Sequence, residues 1–524
     1  MDDSSMQRGG APTMGARMAS WKQPLAWALV VVALLGANAW VHWHNTRQHA
    51  LEHSDYDAFM QAAGADDAID DPLQRCLQGP DLPRTHWHRD TTELYCRTML
   101  QPTLSFEQID ALLTQGKADE VDQAFDGYLR AHQSDLQQPG MFDQAFVTAG
   151  FDSNEEAARQ LADRWKQASP QSAAALTASG MQYLDQALGM PAPNWNNSWP
   201  DAPDDPTPLL ALARKDLERA IALQPADTMA YRELMLVDAI QDDPDAMTAA
   251  ALGAQSLEPA NFGVRAQLMN LAQPSWGSAF GGMNQQLRLT QSWLPHNALL
   301  RIVLSKPAVY AATCCDSASP EQLPTLLRAI DDNVSIFDLW NLGTQEFDSS
   351  PTWAAMLFTE SLRFRPRDAF ALHWRAEALL KSGDRANALN SIQRIASRYP
   401  QDNPIQLQLG WMAAETGHPD QAERIYLGVL QRDPGNQRAM AWLGDLYNRR
   451  LHQPAKAMPL AQQLITRDPD NPEGHLVQIF AEMQLDTPDR YTHIHDFIRR
   501  FGELELFQPE LAQMRDYLRH HPRS

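Results

Sequence analysis

The sequence predicts an all-α fold, an α-solenoid of stacked helix pairs preceded by a single N-terminal transmembrane helix, and three observations predict it. Pro366, Pro400, Pro434 and Pro469 recur at separations of 34, 34 and 35 residues. Between them, small residues recur where two helices of a pair would cross, and larger apolar residues fill the layer positions. Near the N-terminus, the run from Leu25 to Val41 is apolar except at Gly36 and Asn38. A proline lacks the amide hydrogen that a continuing helix needs, so each of the four marks the end of a second helix. A fixed period of this size identifies a repeat array, and such an array accommodates 524 residues by stacking rather than by enlarging one core.

The N-terminal run is close to the length a helix needs to cross hydrocarbon. Arg8, Arg17 and Lys22 precede it, Glu52, Asp55 and Asp57 follow it, and Trp21, Trp40 and Trp43 stand where an aromatic belt would lie. Residues 1–21 are therefore expected in the cytoplasm and 22–43 in the membrane. Ala37-Asn38-Ala39 also forms a small-residue cleavage site, so 22–43 reads as an anchor or a signal peptide. The length of the run and the tryptophan after the site favour the anchor. Either reading exports the remainder, which in a bacterial cell means an inner-membrane protein whose C-terminal part is periplasmic.

Residues 44–100 then read as a juxtamembrane linker, in which Cys76 and Cys96 flank a short polar stretch. In an oxidising compartment a disulfide between them would contribute on the order of 3 kcal/mol; the alternative is two free thiols. Cys314 and Cys315 are adjacent, where a mutual bond is strained, and read as partly buried thiols.

In the repeat ending at Pro434, Leu409 and Gly410 belong to a first helix, Gly417 makes the turn, and Ala422, Tyr426 and Asp433 follow on a second. The next repeat carries Leu443, Gly444, Tyr447, Ala457 and Asp468 before Pro469, and the preceding one Leu372, Ala376, Leu379, Gly383, Ala388 and Ile392 before Pro400. This pattern resembles the tetratricopeptide repeat (TPR) family, which implies a TPR-like α-solenoid over residues 366–486. Arg375 departs from the pattern, which usually has leucine there, and the expectation is a loosened layer or a snorkelling side chain.

A weaker form appears upstream in Ala213, Leu217, Ala220 and Pro225, then Leu257 and Pro259, then Leu294 and Pro295. Leu176, Ser179, Gly180 and Tyr183 read as a first helix whose turn is stretched into Met190 to Pro208, a segment with six prolines whose Trp195 and Trp199 are expected to staple it to the array. Residues 101–300 are thus a divergent helical-repeat domain, 301–365 an irregular repeat, and 487–524 a C-terminal cap that covers the last apolar face. Leu161 to Trp165, Pro170, Ser172, Gly180, Pro274-Ser275-Trp276-Gly277-Ser278 and Met283 also resemble an uncharacterised bacterial helical domain family without established activity. Ser278 stands where that family has a second glycine. The resemblance implies a bacterial origin and a helical fold.

The formal charge of -22 repels phosphate backbones, and no cluster of Lys or Arg forms a stripe, which excludes nucleic acid as a partner. No H-E-x-x-H, G-x-S-x-G or phosphate-binding glycine loop occurs, so neither catalytic nor cofactor residues are assigned. The pairs His42/His44, His86/His88, His493/His495 and His520/His521 lack ligands at matching spacing and read as solvated; no metal is assigned. Asp66, Asp67, Asp70 and Asp71 read as a solvated linker, and Asp242, Asp243 and Asp245 as a turn between helices.

Binding is the remaining class. The TPR resemblance implies a groove lined by first helices, at Phe370, His373, Glu377 and Lys381, then Leu407, Trp411 and Glu415, then Arg438, Asp445, Asn448 and Arg449. Family members that clamp a C-terminal carboxylate use lysine and asparagine at several of these places. His373 and Glu377 stand there instead, so the expected ligand is a protein or peptide with apolar and charged faces, and Trp411 is either its aromatic anchor or an internal packing residue. The expectation is a membrane-anchored periplasmic TPR scaffold, not an enzyme. The alternatives are an inhibitor or immunity protein against a periplasmic toxin, and an enzyme of unknown reaction within 101–300.

Overall fold

The structure, a computed structural model, describes residues 54–65, 69–134, 140–153, 156–189, 205–314 and 322–521. The chain divides into two units, residues 1–58 and 59–524. In the first unit, residues 54–58 are described and are helical; the expected anchor at 22–43 lies outside the described residues. Among the described residues no helix is long and apolar enough to cross a membrane.

The second unit begins with helical residues 59–65 (α1) and is helical wherever it has regular structure among the described residues. After α2 (Pro72–Gln78) and α3 (Arg89–Met99) come consecutive helix pairs: α4 (Phe106–Thr114) with α5 (Ala118–Ser134), α6 (Met141–Thr148) with α7 (Glu156–Ala168), and α8 (Ala173–Leu188) with α9 (Thr207–Leu223). Next are α10 (Thr228–Ile240) with α11 (Pro244–Leu257) and α12 (Phe262–Leu271) with α13 (Met283–Trp293). The shorter α14 (Leu300–Leu304), α15 (Lys306–Thr313) and α16 (Gln322–Ala329) lead to α17 (Ile336–Glu346) with α18 (Pro351–Phe364). The most regular pairs are α19 (Ala369–Ser382) with α20 (Arg385–Arg398), α21 (Asn403–Glu415) with α22 (Pro419–Arg432), and α23 (Gln437–Arg449) with α24 (Pro454–Arg467). The array ends with α25 (Pro472–Leu485), α26 (Arg490–Phe501) and α27 (Gln508–His520).

One local device sets the period. Each proline that ends a second helix is followed two residues later by the side chain that caps the next first helix. After Pro366, Asp368 accepts from the Ala371 amide; after Pro400, Asp402 from Ile405; after Pro434, Asn436 from Ala439; after Pro469, Asn471 from Glu473. The same offset recurs in the divergent part, where Ser172, Asp227 and Asn261 cap α8, α10 and α12 after Pro170, Pro225 and Pro259. The proline removes a donor that a helix would need, and the cap satisfies an amide that the next helix leaves without a partner. Second helices commonly start with proline at their first position, as at Pro244, Pro351, Pro419 and Pro454, where the missing amide costs nothing.

Packing within a pair depends on close approach. A Cβ on Gly410 would lie 2.4 Å from Cε1 of Tyr426, a buried ring on the partner helix, so glycine is required for that crossing. Ile479, Ile494, Phe497, Leu511 and Met514 form the last core cluster, in which α26 and α27 cover α25.

Two expectations are corrected. Residues 44–100 are not a linker throughout. Cys76 and Cys96, both fully buried, are joined by a disulfide that ties α2 to α3, and this hairpin packs deep in the array. The Trp87 indole donates to the Ile330 carbonyl at 2.9 Å, the Ile336 amide to the Tyr95 hydroxyl at 3.2 Å, and the Asn333 amide to Thr92 at 2.8 Å. The rings of Tyr95 and Phe364 lie 4.7 Å apart. The physical reason is that Trp87 sits within a stretch that otherwise reads as polar and pays for its desolvation with the indole hydrogen bond. Secondly, Arg375 does not snorkel to solvent: it is 6% exposed.

Elsewhere, Trp276 is exposed, and Ser278 adopts φ 58°, the left-handed conformation that a second glycine would take without strain. Asp71 caps α2 and Asp243 caps α11. Asp66 and Asp67 of the first carboxylate set, Trp195, Trp199 and Cys315 lie outside the described residues, and Cys314 is half-buried.

Candidate partner-binding groove

On each first helix of the regular repeats, residues three or four apart stack on one face. On α19 this face carries Phe370, His373, Glu377 and Lys381; on α21, Leu407, Trp411 and Glu415; on α23, Arg438, Asp445 and Arg449. The caps described above set the start, and therefore the rotation, of every one of these helices.

The face begins one repeat before the predicted set, at α17. Phe337, 48% exposed, lies 6.3 Å from Trp340, and Trp340 lies 5.3 Å from Phe370. Phe370 continues to Trp374 at 6.2 Å, and Trp374 meets Phe347 edge-on at 5.2 Å. Cations line this row: Arg365 lies over Trp340 at 5.7 Å and Lys381 over Phe347 at 4.7 Å. Both cations are themselves paired, Arg365 with Asp152 at 3.0 Å and Lys381 with Asp348, so the rings are the open part of this face.

Burial sets the protonation of the two polar groups on α19. Desolvation pushes the His373 ring down to about 4, so it is neutral at pH 7, and pushes the Glu377 carboxyl up to about 7, so it is half protonated there. Lys381 pairs with Asp348 at 2.5 Å. Trp411 is half-buried, and Glu415 accepts from Arg450 at 2.8 and 3.0 Å. Arg438 is exposed, with its guanidinium 5.9 Å from the Trp442 ring centre. Arg449 pairs with Asp445 at 2.6 Å, reaches Glu510 at 3.4 Å, and lies over Phe480 at 4.8 Å. Burial raises the Asp445 carboxyl while Arg449 draws it back down.

Two predicted groove residues belong to the packing instead. Leu407 is 4% exposed and fills a layer. Asn448 is 2% exposed, and its side-chain amide donates to the Val477 carbonyl at 2.9 Å, tying α23 to α25. An asparagine at that position can face the groove or bridge to the next repeat, and here the bridge satisfies a buried donor. Sequence reasoning missed Phe337, Trp340, Phe347 and Trp374. The signal for the first three was present as aromatic residues spaced three and seven apart along α17 and its C-cap, inside the stretch read as irregular, whereas Trp374 stands on α19 among the regular repeats.

The histidines fall into ordinary contacts. His86 pairs with Asp331 at 2.6 Å, buried His132 bonds to Glu258 at 2.9 Å, and His493 to Glu482 at 2.8 Å. Among the described residues, no group of three His, Cys, Asp or Glu side chains is placed to hold a metal ion.

Two tetratricopeptide-repeat family models match, one over residues 373–435 and one over 413–478. No curated protein matches the chain. Among solved structures, a tetratricopeptide repeat protein from Parabacteroides merdae is 16% identical, with 54% of this chain and 98% of that one covered, at a TM-score of 0.30. The TPR domain of P58(IPK) is 14% identical, with 60% and 95% covered, at 0.21. The Cut9-Hcn1 hetero-tetramer of APC/C is 11% identical, with 83% and 85% covered, at 0.28. The two family models agree with the proline-and-cap period of the regular helix pairs. On that basis residues 373–478 form tetratricopeptide repeats.

Proposed function

We propose that this protein is a membrane-anchored periplasmic scaffold that holds a partner protein or peptide along the first-helix face from α17 to α23. The observation that carries the reading is the row of aromatic rings from Phe337 through Trp340 and Phe370 to Trp374 on α17 and α19, beside the half-protonated Glu377 carboxyl, with Trp411 and Arg438 on the same face of the next two first helices. Tetratricopeptide repeats generally serve protein–protein interaction, and this row has the mixed character that hot spots require. The apolar run at 22–43 and the charges around it support the anchor.

The test is a pull-down from envelope extract with the full chain, with a form lacking residues 366–486, and with the Trp411→Ala/Arg438→Ala double variant. Loss of the same partners from both altered forms, with the double variant still melting as the wild type does, is expected. An unchanged partner set after deletion of 366–486 would refute the reading. Placement is tested separately, since a mature chain that begins at Trp40 excludes the anchor.

A further inference from the structure

The rings on the first-helix face follow one another in a single row: Phe337 to Trp340 at 6.3 Å, Trp340 to Phe370 at 5.3 Å, Phe370 to Trp374 at 6.2 Å and Trp374 to Phe347 at 5.2 Å. Successive planes are inclined by 54° to 82°, so neighbouring rings form notches rather than a flat sheet. Phe337 is exposed at the start of the row, and the other four rings are half-buried. A docked helix presents a broad apolar stripe. A chain in the polyproline II conformation is narrow and, advancing about 3.1 Å per residue, passes one ring for roughly every two residues.

Two further observations select such a chain and its composition. The indole N–H of Trp340 has no hydrogen-bond acceptor among the described residues. A helical ligand uses its carbonyls internally, whereas the polyproline II backbone makes no internal hydrogen bonds and leaves its carbonyls available. The charges beside the rings are already answered, Arg365 by Asp152 at 3.0 Å and Lys381 by Asp348 at 2.5 Å. Through burial, His373 is neutral at pH 7 and Glu377 is half protonated there. An uncharged ligand is therefore the electrostatic complement of this face, and an acidic one would have to displace existing pairs. There is also no strand among the described residues to receive the amide hydrogens that an ordinary extended peptide turns toward a protein. Proline carries no such hydrogen, and its compact apolar ring suits a notch.

We propose that the row from Phe337 to Trp374 binds an uncharged, proline-rich segment of the partner in the polyproline II conformation, with pyrrolidine rings seated in the notches and a backbone carbonyl accepting from the Trp340 indole. A small turn of the half-buried ring presents the nitrogen, which is covered in the free protein. The inference rests on the partner-holding role stated above and names the kind of segment held. Such a segment is extended before it binds, so little ordering entropy opposes docking.

The test measures fluorescence polarisation of a labelled decaproline on the full chain, against an uncharged helical peptide and an acidic peptide of equal length. Saturable binding of decaproline is expected, tighter than that of either control and unchanged from low to high salt, because no ion pair forms. Phe337→Ala and Trp374→Ala should each weaken it by at least about tenfold. Trp340→Phe, which keeps a ring and deletes the N–H, should weaken it by about threefold or more. Melting of each variant checks its fold, and Phe337→Ala, at the exposed start of the row, carries the test if Trp374→Ala does not fold. The Trp411→Ala/Arg438→Ala double variant, outside the row, should bind decaproline as the wild type does. A wild type that does not bind decaproline, a control that binds as tightly, or ring variants that bind as the wild type does would overturn the inference. If such a chain still loses its envelope partners through the double variant, the scaffold reading stands without it; decaproline binding by a chain whose partners survive deletion of 366–486 does the reverse.

Discussion

Replacing Glu377 by glutamine should stabilise the protein at alkaline pH and do little in acid. The Glu377 carboxyl is pushed up to about 7 from its ordinary 4.5 by burial on the α19 face. His373, one turn earlier on the same face, is held neutral at pH 7, and Lys381, one turn later, is paired with Asp348. Below pH 4.5 the carboxyl is protonated in both folded and unfolded chains, and there is no penalty. Between 4.5 and 7 the unfolded chain ionises while the folded one does not, so stability falls as pH rises through this window. Above 7 the whole cost is present. At 1.36 kcal/mol for each tenfold difference in proton affinity, it amounts to at most about 3 kcal/mol. Glutamine has the shape of the protonated acid and no charge to lose. Urea unfolding of wild type and Glu377→Gln should therefore differ by up to about 3 kcal/mol at pH 8, in favour of the variant, and by under about 1 kcal/mol at pH 5. An equal difference at both pH values, or a less stable variant at pH 8, refutes the reasoning.

Gly410→Ala places a methyl group 2.4 Å from a Tyr426 ring carbon, and thermal melts should show a loss of about 1 to 3 kcal/mol; an unchanged melting point would mean that the crossing has slack. Asp402→Ala removes the cap that accepts from the Ile405 amide and should cost about 1 kcal/mol, with Asp402→Asn recovering most of it. Replacing Cys76 and Cys96 together by serine opens a link across a sequence separation of 20 and should lower stability by about 3 kcal/mol in denaturant titration. The same double variant should retain any partner held by residues 366–486, which a pull-down checks.

The regular repeats were legible because proline, cap and crossing glycine are local signals, each readable within one turn of chain. Asp368, Asp402, Asn436 and Asn471 show how local: each acts within three residues of itself. The hairpin at 72–100 was not legible, because what makes it part of the array is the partner of Trp87 at Ile330 and of Tyr95 at Ile336, and no local pattern announces a bond across so much chain. The first-helix face was half legible. Spacing placed Phe370, Glu377 and Arg449 on it, but spacing alone does not distinguish a side chain that faces out from one that bridges to the next layer, as Asn448 does. Trp340 and Trp374 were missed because aromatic residues on a helix read equally well as core.

The bond from Trp87 to Ile330 spans 243 residues. In an open solenoid each repeat meets only its neighbours, and whole repeats are gained or lost without consequence elsewhere. Here the span between the hairpin and α17 behaves like a hoop of fixed circumference: adding or deleting one helix pair between residues 100 and 330 would carry Ile330, Asn333 and Ile336 away from the side chains that meet them. The number of repeats in that span is therefore set by geometry.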